Sequence, residues 1–226
     1  MKTSIVPILI FLAMFQVKAI AQVTLYNFDP NKVNKTLAAK MDSLYQEDQK
    51  YRLELSKLEK QGTPKKQLDS LRKIVSAKDS TNLILVRQLI DKHGWLGAQD
   101  IGFQGTQALF LVIQHADLKT QKKYYPLIRK AEKEGNILSS NVAILEDRIA
   151  VREGKNQPYG SQGIYDSVNK KNLVYPVKDL KNLDSLRKSR GLPPMKEYEK
   201  NWDVDEYLAD LKYAETALKK LKQANK

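Results

Sequence analysis

The chain has 226 residues, no cysteine, and a formal charge of +13 from 39 Lys and Arg against 26 Asp and Glu. The lack of cysteine excludes disulfides, thiol chemistry and thiolate metal sites. The length allows one domain with a substantial core, and the basic balance favours anionic partners.

Residues 1–21 read as a cleavable secretory signal peptide. Lys2 supplies a short positive start, and Ile5 to Phe15 is an apolar run broken only by Pro7. Ala19-Ile20-Ala21 is the small-x-small pattern of a cleavage site, so the expected mature chain begins at Gln22. The apolar run is shorter than the roughly 20 residues a bilayer span needs. The expected location is therefore periplasmic or secreted. Removing Lys2 and Lys18 from +13 leaves +11. In an exported chain such a charge suggests peripheral contact with a membrane or envelope surface, and no nucleic-acid partner is expected. The lysines are spread along the chain rather than clustered, which favours a plain solvated surface.

Residues 22–30 read as extended and lead to the helix entry Asp29-Pro30. Val33, Leu37, Met41, Leu44, Leu55 and Leu58 recur at helical spacing, and Gln61-Gly62-Thr63-Pro64 ends that helix. A second helical segment runs from Pro64 to about Lys92. Leu68, Leu71 and Val75 form one stripe, and Leu83, Leu85, Val86, Leu89 and Ile90 another. The polar patch Lys78 to Asn82 between them predicts a break or kink. The short connection allows an antiparallel helical hairpin.

Composition changes at His93. A glycine-rich connection follows, with Thr106 as the expected N-cap of an all-round apolar helix over Gln107 to Ala116. A buried strand is the alternative for so short a run. Asp117 is placed to cap a helix over Leu118 to Glu134, with Tyr124, Leu127, Ile128 and Ala131 inward. The next helix spans about Ser140 to Arg152. Residues 155–178 alternate loosely around Ser167 to Lys170 and predict a small β-hairpin. A short helix over Leu180 to Arg190 follows. The last helix begins at Asp203, whose pairing with Glu206 resembles a capping box. Its stripe is Tyr207, Leu208, Leu211, Ala214, Leu218 and Leu221.

The only two histidines, His93 and His115, lie in the central region. His115 ends the apolar helix, where the negative end of the helix dipole favours its charged form. Asp147 and Arg148 sit mid-helix about 100° apart, so one of them is expected at the edge of the core. The Arg suits an anion, and the Asp suits the orientation of a neighbour. Gly154 to Gln162 is dense in turn formers and amides. It reads as a plain turn or as a binding loop in which Gln157, Tyr159 and Gln162 present donors and acceptors beside an aromatic ring. No H-E-x-x-H, phosphate-binding loop or G-x-S-x-G is present. No histidine or carboxylate spacing is diagnostic of a metal site, so no metal or cofactor is assigned.

Four segments carry a family resemblance: His93-Gly94-Trp95, Gln114-His115-Ala116-Asp117, Leu145-Glu146-Asp147-Arg148, and Gly154 to Gln162. In this order they resemble the bacterial domain-of-unknown-function family numbered 6624, whose pattern is similar to H-G-W-P, Q-H-A-D, D-R and G-x-x-Q-x-Y-G-T-Q. Leu96 stands where Pro is usual, and Ser161 stands where Thr is usual. The resemblance spans about residues 80–195. It implies that the polar segments belong to one unit, and it supplies no reaction.

The expected fold is mainly α: a single helical domain with a small β-hairpin and helical extensions at both ends. Its parts are the signal peptide 1–21, an N-terminal helical arm 22–79, a core 80–195 and a C-terminal amphipathic helix 196–226. Two functions fit. One is an exported cell-envelope binding protein that recognises a polar or anionic ligand or envelope component. His93, Trp95, Gln114, Asp117, Gln157, Tyr159 and Gln162 are its ligand-binding candidates. The other is an exported hydrolase-like enzyme with His115 as general acid or base, Asp147 orienting it and Arg148 stabilising negative charge. A structural polar network accounts for the same residues.

Overall fold

The computed structural model describes Asp29, residues 31–166 and residues 171–224. The expected signal peptide, and the extended stretch 22–30 apart from Asp29, lie outside the described residues. The fold is mainly α, with eight helices and one two-stranded antiparallel hairpin among the described residues. None of these helices is long and apolar enough to cross a membrane. The chain divides into two compact units, one ending at Leu138 and the other starting at Ser139. The boundary expected near residue 80 falls inside a helix.

The N-terminal unit holds α1 (Lys35–Lys60), α2 (Lys65–His93), α3 (Ala98–His115) and α4 (Leu118–Lys133). Asn34 caps α1 by accepting the Leu37 N–H at 3.0 Å. Helix α1 packs on both α2 and α3, and α2 also meets α3. Met41, Leu44, Leu68, Leu71, Val86, Ile90, Ile101 and Leu109 are among the buried side chains of this unit.

The break expected at Lys78 to Asn82 does not occur, because α2 runs through it. The Ser80 and Thr81 hydroxyls donate to the Ser76 and Ala77 carbonyls one turn back. These bonds satisfy the hydroxyls without interrupting the helix. Asp79 and Asn82 take interior positions between the two apolar stripes.

Helix α3 starts well before the expected Gln107. The Gly97 N–H donates to the Asp100 carboxylate at 2.8 Å, and a kink at Gly102 (φ 72°) separates the first turn from the rest. Thr106 is therefore inside the helix, and its hydroxyl donates to the Gly102 carbonyl. A Cβ at Gly105 would lie 3.3 Å from the Met41 Cβ, so this glycine permits the close approach of α1 to α3. From Ala108 to Gln114 every side chain is buried, which confirms the central apolar helix. Asp117 caps α4 as expected, accepting the Thr120 N–H at 2.7 Å.

The C-terminal unit holds α5 (Ser139–Arg152), β1 (Gly163–Asp166), β2 (Lys171–Val174), α6 (Leu183–Ser189), α7 (Met195–Tyr198) and α8 (Val204–Ala224). The hairpin pairs Gly163 with Val174 and Asp166 with Lys171, in the region the alternation indicated. Val151, Ile164, Leu173, Tyr175, Ala217 and Leu218 form one buried cluster. Val177, Leu183, Met195 and Tyr207 form a second. Asp203 caps α8 through the Glu206 N–H at 3.0 Å. Leu208, expected in the stripe, is 51% exposed, and Ala217, outside the expected stripe, is buried.

Candidate functional site

The polar residues assemble into two constellations, one in each unit. In the C-terminal unit the loop after α5 is the centre. Asp147 is fully buried, and its two oxygens accept the N–H groups of Tyr159 and Ser161, each at 2.8 Å. Gln157 is also fully buried. Its Nε2 donates to the carbonyls of Gln162 (2.9 Å) and Tyr175 (2.8 Å), and its Oε1 accepts the Gln162 N–H (2.8 Å). Gly160 bends the loop at φ 69°. Asp147 and Gln157 thus hold this segment as a rigid loop, with every one of these bonds inside it or to its immediate support.

Three arginines gather around that loop. Arg187, on α6, is fully buried. It donates to the carbonyls of Tyr159 and Pro193, each at 2.6 Å, and its guanidinium lies 4.5 Å from the centre of the Tyr198 ring. No carboxylate pairs with it among the described residues, and its Nη2 has no hydrogen-bond partner there. Burial lowers its pKa, partly offset by Tyr198, Asp147 and Asp184. Arg190 follows α6, with its guanidinium 5.6 Å from the Tyr159 ring centre and 3.5 Å from the Glu146 carboxylate. Arg148 is buried, and its charge acts on the Tyr198 phenol, which donates to the Ser161 carbonyl at 3.1 Å.

The expectation that Asp147 or Arg148 sits at the core edge is corrected: both are buried. The loop covers the face that carries Asp147, so both sides of α5 are enclosed. Burial pushes the Tyr159 phenol up to about 12, and Glu146 adds to the effect. Burial also pushes Tyr198 up to about 12. Both therefore remain hydrogen-bond donors at neutral pH. Tyr159, Gln162 and Arg190 are half-buried and form the rim of the constellation.

The second constellation lies among α1, α2 and α3. Asp48, Gln49, Arg52 and Asn82 are buried, and the His115 side chain is 2% exposed. Arg52 pairs with Asp48 one turn away (3.0 Å) and with Asp79 across the helix pair. Gln49 Nε2 donates to Asp48 Oδ2 at 2.8 Å. His115 Nδ1 stands 3.9 Å from that same oxygen. Burial pushes the Asp79 carboxyl up to about 6, Arg52 opposes this, and the Asp48 charge adds to it. Asn82 lies one turn beyond Asp79 on α2, and its Nδ2 has no hydrogen-bond partner among the described residues.

The carboxylate beside His115 is thus Asp48, in the same unit. Gln114 is buried, and its carbonyl accepts from Gln121 Nε2 at 2.6 Å, which fastens the end of α3 to α4. Trp95 is buried in the N-terminal unit, His93 is exposed at the end of α2, and Asp117 serves as the α4 cap. Asp48, Arg52, Asp79 and Asn82 escaped the sequence reading. Their signal was the gap in each apolar stripe, between Leu44 and Leu55 on α1 and between Val75 and Val86 on α2. Polar residues fill the interior positions there. The sequence spacing indicated no metal set, yet Asp48, Asp79 and His115 bring ligand atoms within 4.8 Å of one another.

A mainly α fold with a buried polar constellation in each unit defines a helical protein whose interior is partly polar. The chain belongs to DUF6624, a family of unknown function, whose match covers residues 36–212. That match takes in α1 and α2 as well as the four segments around His93 to Gln162. No curated protein and no solved structure matches the chain.

Proposed function

We propose that this is an exported cell-envelope protein that binds a polar, anionic ligand at the loop of the C-terminal unit. The observation that carries the proposal is the gathering of Arg148, Arg187 and Arg190 around one loop, with Arg187 buried and its Nη2 lacking a hydrogen-bond partner among the described residues. A buried guanidinium N–H without an acceptor is costly, and a ligand carboxylate or phosphate near the loop offsets that cost. Arginine suits such a group because its planar fork matches two oxygens at once. The half-buried Tyr159, Gln162 and Arg190 are where the ligand would make contact. Asp147 and Gln157 preorganise the loop, which lowers the ordering cost of binding.

Titration of the full chain with inorganic phosphate and with a short uronic-acid oligosaccharide, followed by calorimetry, tests this. The expected result is saturable binding of at least one probe, weakened about tenfold or more by R190A, the loss of one charge-assisted bond. Binding that is absent, or unchanged in R190A, contradicts the proposal.

In the hydrolase reading the carboxylate beside His115 is Asp48, whose Oδ2 stands 3.9 Å from His115 Nδ1, beyond hydrogen-bond reach. Asp147 has both oxygens engaged by backbone N–H groups.

A further inference from the structure

We propose that Asp48, Asp79 and His115 form a binding site for one divalent metal ion of the zinc or manganese class. The three residues come from three helices, and their ligand atoms lie within 4.8 Å of one another in a largely buried setting. One imidazole and two carboxylates are a donor set for that class, since imidazole suits zinc and carboxylates suit manganese. The 3.9 Å between His115 Nδ1 and Asp48 Oδ2 exceeds a hydrogen bond. Two ligands each about 2.1 Å from one ion stand about 3.4 Å apart at the tetrahedral angle, so the pair closes by about half an ångström when an ion enters.

Arg52 argues for the competing reading, a network that balances its own charge. Its guanidinium bonds both Asp48 oxygens and one Asp79 oxygen. Asp48, Asp79 and Arg52 together still carry one negative charge, which a cation neutralises. In the metal site Arg52 and Gln49 orient the ligating carboxylates from outside, the usual arrangement around a bound ion.

Asn82 favours the metal reading. The pairs Arg52–Asp79 and Glu59–Arg72 set the antiparallel register of α1 and α2. Asn82 lies one turn after Asp79 on the same face of α2, the side that meets α1. Its amide is buried and its Nδ2 lacks an acceptor among the described residues. A self-contained network leaves that donor unsatisfied, which costs stability. Three protein ligands leave a position on the ion for water, and a water there is the acceptor Asn82 lacks. This inference uses none of the residues of the anion site and stands or falls apart from it.

The test uses the full chain, stripped with a chelator and titrated separately with zinc and with manganese. Calorimetry reads zinc, and loss of the free-ion paramagnetic resonance signal reads manganese. The expected result is one ion per chain for at least one metal. H115Q should abolish that binding with the helical circular dichroism retained, N82A should weaken it about tenfold, and H93Q should leave it unchanged. Failure of both ions to bind, or equal binding by H115Q, overturns the proposal. If H115Q does not fold, X-ray absorption of the zinc-loaded parent decides. One imidazole nitrogen among oxygen ligands supports the site, and an all-oxygen or two-imidazole shell overturns it.

Discussion

Asp147 shows how a single side chain organises a loop. Its carboxylate accepts two backbone N–H groups, and it does so at full burial. D147N presents an N–H₂ to one of those donors, leaving a buried N–H unpaired. The expected cost is about 1–3 kcal/mol in a urea unfolding experiment. The same residue makes stability depend on pH. Burial pushes its carboxyl up to about 6, against the pull of the Ser161 and Tyr159 N–H groups and of Arg187. A carboxyl with a higher pKa folded than unfolded holds its proton more tightly in the folded chain. Its contribution is full below about 4, where the unfolded carboxyl also protonates, and is lost as pH rises through about 6. The parent should therefore gain stability relative to D147N as pH falls from 7.5 to 5. A stability difference that shrinks over that range contradicts the assignment.

At the scale of elements, the sequence was most legible where one physical signal dominated. The caps at Asp117 and Asp203 and the apolar run through Phe110 were legible because a short polar side chain, or unbroken hydrophobicity, has one structural use there. The hairpin was legible from alternation around residues 167–170. The polar interior was not legible. A stripe search looks for apolar residues, and Asp48, Arg52, Asp79 and Asn82 interrupt the stripes from the inside, so they read as gaps or as a kink. Only the packing of α1 on α2 and α3 makes them neighbours. The roles of Asp147 and Gln157 were hidden for a related reason: both bond to backbone groups, which leave no trace in side-chain pattern. Gly160 provides a test at this scale. At φ 69° a Cβ is strained, and it would also lie 3.2 Å from the Met195 Sδ. G160A should lower stability by about 1–3 kcal/mol and weaken anion binding with it. Unfolding curves and calorimetry on the same sample check both effects.

For the whole molecule, the expected export and the proposed anion site make separate predictions. The leader reading predicts that protein recovered outside the cytoplasm begins at Gln22, which N-terminal sequencing of the exported form checks. Recovery from the cytoplasm with Met1 retained contradicts it. The charge of +13, or +11 without residues 1–21, adds a general attraction to anionic surfaces that salt screens within about 8–10 Å. The proposed loop site is distinguishable from that background because Asp147 and Gln157 hold its loop and its rim is half-buried. The most direct test is an amide-resolved nuclear magnetic resonance titration of the full chain with inorganic phosphate and the uronic-acid oligosaccharide at 0.15 M salt. Saturable shifts centred on the Tyr159, Ser161 and Gln162 amides and the α6 residues around Arg187 are expected, together with their loss in R190A. Shifts scattered over surface lysines, or none at the loop, would contradict the proposed site.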